Sequence, residues 1–211
     1  MPFVLPEGLA PEIYPLAWLV GRWRGEGVVG YPGVEESAFT QELEITHDGG
    51  PYLAYRTTVR LVVAPDDAAA IDPAAIDPAA GDPAAGDVAD DPDAAPPAVT
   101  GAPDGPVWST EAGYWRVPPE RPEDLAPEQH PVELLLADPS GHVAVYVGAV
   151  GNGRIDLASD LVAHTATGAA VNAGKRLYGL VEGDLMWAHD LAAFGQPLQS
   201  YASGRLSRVE G

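Results

Sequence analysis

From Gly21 onward the chain alternates apolar and polar residues in short runs. In Phe39 to Thr46, Phe39, Gln41, Leu43 and Ile45 alternate with Thr40, Glu42, Glu44 and Thr46. The run 52–63 places Tyr55, Thr57, Val59 and Leu61 on one side and Arg56, Thr58 and Arg60 on the other. A period of two means strands with one face packed and one face wet. The same pattern predicts strands at 107–117, 132–136, 143–150, 155–163, 176–181, 185–193 and near 198–208. With the run that opens at Gly21, this gives about ten strands.

Turn chemistry separates the runs. Tyr31-Pro32-Gly33, His47-Asp48-Gly49-Gly50, Asp138-Pro139-Ser140-Gly141, Gly151-Asn152-Gly153 and Glu182-Gly183-Asp184 are short and glycine-bearing. Short turns make antiparallel hairpins. A long meander of hairpins removes its edges by closing on itself. The expected fold is therefore all-β: an antiparallel, up-and-down barrel of about ten strands, wide enough for one small ligand. Ahead of it, Ile13, Leu16, Ala17 and Val20 have helix-like spacing over too short a span to stand alone. A short helix or 3₁₀ turn packed on the barrel is expected there.

One segment breaks the pattern. Residues 64–106 consist mainly of Ala, Asp, Pro and Gly, with ten Asp and no Lys or Arg. A five-residue unit recurs from Ile71-Asp72-Pro73-Ala74-Ala75 to Gly81-Asp82-Pro83-Ala84-Ala85. Each proline blocks both helix and ladder, and little apolar surface offsets the ordering entropy. The segment reads as a disordered acidic insert within one barrel domain spanning 13–208. Loop closure tolerates such length, because its entropy grows only slowly.

The totals narrow the functions. The net charge is −20, and half of it lies in the insert. Nucleic-acid binding, which needs basic charge against phosphate, is disfavoured. With no cysteine, there are no disulfides, thiolate metal sites or thiol nucleophiles. The N-terminus lacks a signal-peptide pattern, and no apolar run reaches the roughly 20 residues of a membrane helix. A cytoplasmic protein with no membrane role is expected. Asp156, Asp160 and His164 lie close in sequence but lack a nucleophile-elbow pattern, so they read as surface residues. His47, His130, His142, His164 and His189 show no metal-ligand spacing. His130 and His142 are expected in solvent. His189 shares a strand face with Trp187, and His47 ends a strand where it could overhang the barrel mouth. No catalytic residue and no metal site are assigned.

Gly21-Arg22-Trp23-Arg24-Gly25-Glu26-Gly27 fits the GxWxGxG signature, carried by Gly21, Trp23, Gly25 and Gly27. With it the chain resembles the nitrobindin family, barrels shaped like fatty-acid-binding proteins. Leu43-Glu44-Ile45-Thr46-His47-Asp48-Gly49, Glu111-Ala112-Gly113-Tyr114-Trp115-Arg116, Ser159-Asp160-Leu161-Val162 and Gly195-Gln196-Pro197-Leu198 extend the likeness in the right order. The resemblance implies haem b held by one axial histidine in a pattern like QPLxxHL, isomerisation of peroxynitrite to nitrate, and homodimers. It also implies a distal role for His47 over the haem face.

At the axial position this chain has Tyr201, and no histidine follows His189. It looks like the ferric nitrobindin-like members that lack the axial ligand. The expectation is a barrel without a cofactor, with the isomerase activity absent and a small hydrophobic ligand in the cavity. Trp23, Phe39, Tyr55, Trp115 and Trp187 are the candidates to line that cavity. An alternative keeps haem b, with an ionised Tyr201 as ligand, as in catalases, or with His189 as a substitute. Arg205 is a candidate partner for the phenolate by strand parity. A third reading is a lipid carrier with an arginine inside; Arg56, Arg60 and Arg116 are its candidates.

Overall fold

The computed structural model describes residues 5–62 and 105–209. It contains ten strands: β1 (Gly21–Tyr31), β2 (Val34–Thr46), β3 (Tyr52–Leu61), β4 (Val107–Arg116), β5 (His130–Ala137), β6 (His142–Gly151), β7 (Arg154–His164), β8 (Val171–Val181), β9 (Asp184–Ala193) and β10 (Gln199–Val209). Each pairs antiparallel with its neighbour in the chain, and β10 returns to β1, so the sheet is a closed barrel. The architecture read from the alternation is the one observed. Strands β2 and β8 begin well before the pattern indicates, at Val34 and Val171. In these early turns the alternation is interrupted while backbone pairing continues, as Tyr31 with Val34 shows. The acidic segment expected at 64–106 lies, except for its last two residues, outside the described residues. At its far end Leu61 N–H donates to Pro106 C=O at 3.0 Å. No helix among the described residues is long and apolar enough to cross a membrane.

The seam between β1 and β10 explains the GxWxGxG residues. Trp23, Gly25, Gly27, Val29 and Tyr31 share the inward face of β1. A Cβ on Gly25 would stand 2.0 Å from the Arg205 carbonyl oxygen. On Gly27 it would meet the Ser203 carbonyl oxygen at 2.1 Å and the Phe39 ring at 2.4 Å. Only hydrogen fits at either place, and the two chains close the barrel through that gap. Gly21 opens the strand at φ 139°, a value that side-chain-bearing residues avoid.

Pro11–Leu19 forms a 3₁₀ helix. With three residues per turn, Ile13, Leu16 and Leu19 fall on one stripe, and all three are fully buried. They pack on Trp23, Leu43, Ile45, Leu53, Trp115 and Leu206, the inward residues at one end of the barrel. Each such side chain contributes about 1.5–3 kcal/mol by leaving water, which holds a 3₁₀ run longer than the usual single turn. The plug is also bonded in place. Trp23 Nε1 donates to the Leu19 carbonyl at 2.8 Å. Arg208 lies over the Trp23 ring, 4.1 Å from its centroid, and donates to the Trp18 carbonyl at 2.8 Å. One end of the barrel is therefore solid; the other is hollow.

Candidate ligand cavity

The hollow end holds a cavity of about 700 Å³. Its walls come from the ends of β1, β3, β5, β7 and β9 and the starts of the strands between them. Along the regular parts of the strands, parity decides which side chains enter. Val29, Phe39 and Val59 form an apolar wall with Ala202, against which Trp108, Trp187 and Tyr201 pack. Of the five aromatic residues expected to line the cavity, Phe39, Tyr55 and Trp187 do so. Trp23 and Trp115 instead belong to the solid end.

The floor of the cavity is polar. Arg176 from β8 is buried and forms a two-pronged ion pair with Glu111 from β4. Its Nη1 donates to Glu111 Oε2 at 2.9 Å and to Tyr178 Oη at 3.4 Å, and Nη2 donates to Glu111 Oε1. Tyr55 donates to Glu111 Oε2 at 3.3 Å, and the guanidinium sits 5.1 Å from the Tyr146 ring centroid. Burial works against the Arg176 charge. The facing Glu111 carboxylate, with Tyr178 and Tyr146, more than offsets that, and its pKa lies above the ordinary arginine value. Beside this set, Trp187 Nε1 donates to Gln41 Oε1 at 2.7 Å, and Gln41 Nε2 donates to Thr57 Oγ1 at 2.9 Å. The alternation carried the signal for the ion pair, since Arg176 stands two residues from Tyr178, and Glu111 two from Gly113. An arginine and a glutamate are ordinarily read as wet, so the sequence reading left them outside the site.

Tyr201 stands near the mouth. Its hydroxyl accepts a hydrogen bond from Trp108 Nε1 at 3.0 Å, from β4 across the opening. Tyr31 and His189 meet its ring edge-on, with centroids 6.0 and 5.5 Å away. Burial raises the Tyr201 pKa above the ordinary phenol value, although the Trp108 bond works in the other direction. The pairing of β10 with β9 shifts between Ser200 and Ala202, so Tyr201 occupies a bulge. Bulges redirect side chains, and this one breaks the parity that had put Arg205 beside Tyr201. Arg205 faces solvent and pairs with Asp184.

His189 lines the cavity with Trp187, as their spacing implied. Its Nε2 lies 3.5 Å from Tyr146 Oη and 3.1 Å from where a Cβ on Gly174 would stand, so it faces the wall. Burial, and then the charge of Arg176, push its pKa well below the ordinary histidine value, and the ring is neutral. His47 follows β2 at the plugged end, half-buried, with Nδ1 enclosed and unpartnered. His142, expected in solvent, is largely buried at the rim. The 138–141 turn folds Asp138 back against its Nδ1 at 3.4 Å, and Nε2 lies 2.7 Å from the Ala169 carbonyl. Asp156 is on the outer face with Arg154 and Lys175, and Asp160 and His164 are exposed. Arg56 and Arg116 are exposed, and Arg60 reaches the Gly105 carbonyl; Arg176 is the interior arginine. Among the described residues no group of three or more His, Asp or Glu is placed to hold a metal ion.

Residues 12–208 match the family described as the THAP4-like, heme-binding β-barrel domain. The "Ferric nitrobindin-like protein" of Beutenbergia cavernae is 45% identical over 99% of this chain and 100% of its own length. The "Peroxynitrite isomerase" of a Nocardioides species is 36% identical over 99% of both. The crystal structure of Rv2717c from M. tuberculosis superposes with a TM-score of 0.65 at 25% identity, covering 96% of this chain and 99% of that one. A ten-stranded closed barrel, the glycine-lined seam and a match across nearly the whole chain agree, and the chain belongs to the nitrobindin family.

Proposed function

We propose that this barrel binds a small hydrophobic ligand in its cavity and does not hold haem b through the family's axial position. The observation that carries this is the state of Tyr201. A phenol coordinates ferric iron strongly only after losing its proton. Here burial, with the Glu111 carboxylate, favours the protonated form and outweighs the Trp108 hydrogen bond and the Arg176 charge, which favour the phenolate; Arg205 instead pairs with Asp184 in solvent. His189 supplies no alternative. It is neutral, as an imidazole ligand must be, but its Nε2 faces Tyr146 and the Gly174 backbone rather than the open cavity. The residues present do not fit an axial ligand set. The isomerase activity named for the Nocardioides relative is, on this reading, absent here.

Titration of the purified protein with hemin tests the proposal. No Soret shift saturating at one equivalent is expected, and a tight one-to-one complex would refute the reading. Tyr201→Phe would then show whether the phenolate is the ligand. Tyr201→His is the complementary variant: it restores an imidazole donor at the mouth, and a Soret band that saturates with the variant alone is the expected result.

A further inference from the structure

The chemistry of the cavity floor specifies a ligand more narrowly than hydrophobicity does. Arg176 and Glu111 are inside the barrel, and their charges are spent on each other through two parallel hydrogen bonds. Hydrogen-bonding capacity nevertheless remains. The Glu111 side chain keeps 20% of its surface open, so its carboxylate can still accept from a head group, whereas Arg176 Nε is enclosed by the wall. Among the described residues the Tyr178 hydroxyl accepts from Arg176 and has no acceptor of its own. Above this floor the wall is apolar, with Val29, Phe39, Val59 and Leu191 facing the space.

We infer that the cavity receives an uncharged amphiphile, with an amide or alcohol head seated on the Glu111–Arg176 floor and an apolar body reaching up to the Trp108–Tyr201 rim. The inference rests on the absence of axially held haem proposed above, since haem in the mouth would occupy the same space. The reason for an uncharged head is electrostatic. A carboxylate would make a buried group of net charge −1 beside Glu111, and an ammonium one of +1 beside Arg176. Either loses its water shell without an unpaired counter-charge to replace it. A primary amide brings both a donor and an acceptor and leaves the pair intact. The floor is deep in a barrel plugged at its other end, so the head must enter first.

Isothermal titration of the intact protein with decanamide, decanoate and decylammonium at neutral pH tests this, because the three share one tail and differ in the head. Decanamide is expected to bind at least about tenfold more tightly than either ion, a margin of about 1.4 kcal/mol. Glu111→Gln leaves Arg176 unpaired and is expected to move the preference to decanoate by a similar factor. If that variant does not fold, the paired replacement Glu111→Leu with Arg176→Leu keeps the floor neutral but removes its hydrogen-bonding groups, and should weaken decanamide binding at least about tenfold while leaving both ions still weaker. Equal or tighter binding of decanoate by the unaltered protein would overturn the inference. So would no binding of any of the three. Neither result bears on the haem reading, which fails only if hemin forms its own saturable complex.

Discussion

Position 201 shows how one side chain redirects a site. Tyrosine fills the mouth, stacks edge-on against Tyr31 and His189, and ties to Trp108 through its hydroxyl. That position 201 carries a tyrosine, and that no histidine follows His189, was legible in the sequence. The bulge that turns Arg205 away was not, because bulges follow from backbone pairing and leave no mark in an alternation. His189 sets a second prediction at this scale. Its folded pKa is depressed by burial and by Arg176, whereas the unfolded chain titrates near 6.5. Below about pH 6.5 the unfolded state therefore takes up a proton that the fold refuses, and stability falls. Above that value this contribution is fully present. Thermal unfolding across pH should show a melting temperature that declines as pH drops below about 6.5, reflecting a loss of up to about 1.4 kcal/mol of unfolding free energy per pH unit from this group. His189→Gln should flatten that decline.

Among the elements, the β1–β10 seam and the N-terminal plug carry different risks. Gly27→Ala forces a methyl against the Ser203 carbonyl oxygen and the Phe39 ring. A loss of at least about 1–3 kcal/mol is expected, read by urea unfolding. Unchanged stability would mean that the glycine is not required for closure. Leu16→Ala removes a fully buried side chain from the plug and is expected to cost about 2–5 kcal/mol in the same measurement, with the Trp23–Leu19 contact loosened. The plug was only partly legible. Val20 suggested an α-like spacing, but the stripe is Ile13, Leu16 and Leu19, at intervals of three. Over so few residues the two periods differ by a single position, and only packing against the barrel end decides between them.

Seen whole, the molecule was legible in outline because a barrel writes its topology into its sequence. Each hairpin needs a turn, and each strand needs one apolar face. The interior was less legible. Parity predicts which residues point inward, but the unusual ones, Glu111 and Arg176, are held inside because they meet each other across the barrel. That meeting depends on the shear of the strands, which no local pattern encodes. His47 and His142 illustrate the same limit. His47 follows one strand and His142 begins another, and which end of the barrel a residue reaches follows from closure rather than from neighbours.

The division between a solid end and a hollow one has a consequence for how such a protein can change over time. Most of the large, fully buried side chains are in the plugged half, where Trp23, Trp115, Leu134 and Ile155 pack with the 3₁₀ helix. Tyr201, Trp108 and His189 are in the other half, around space rather than against the main core. Substitutions at the mouth border open space, so an exchange of ligand chemistry there disturbs fewer packed contacts than a change in the plugged half. Position 201, at the edge of the cavity, is one place where such an exchange leaves the plugged half untouched.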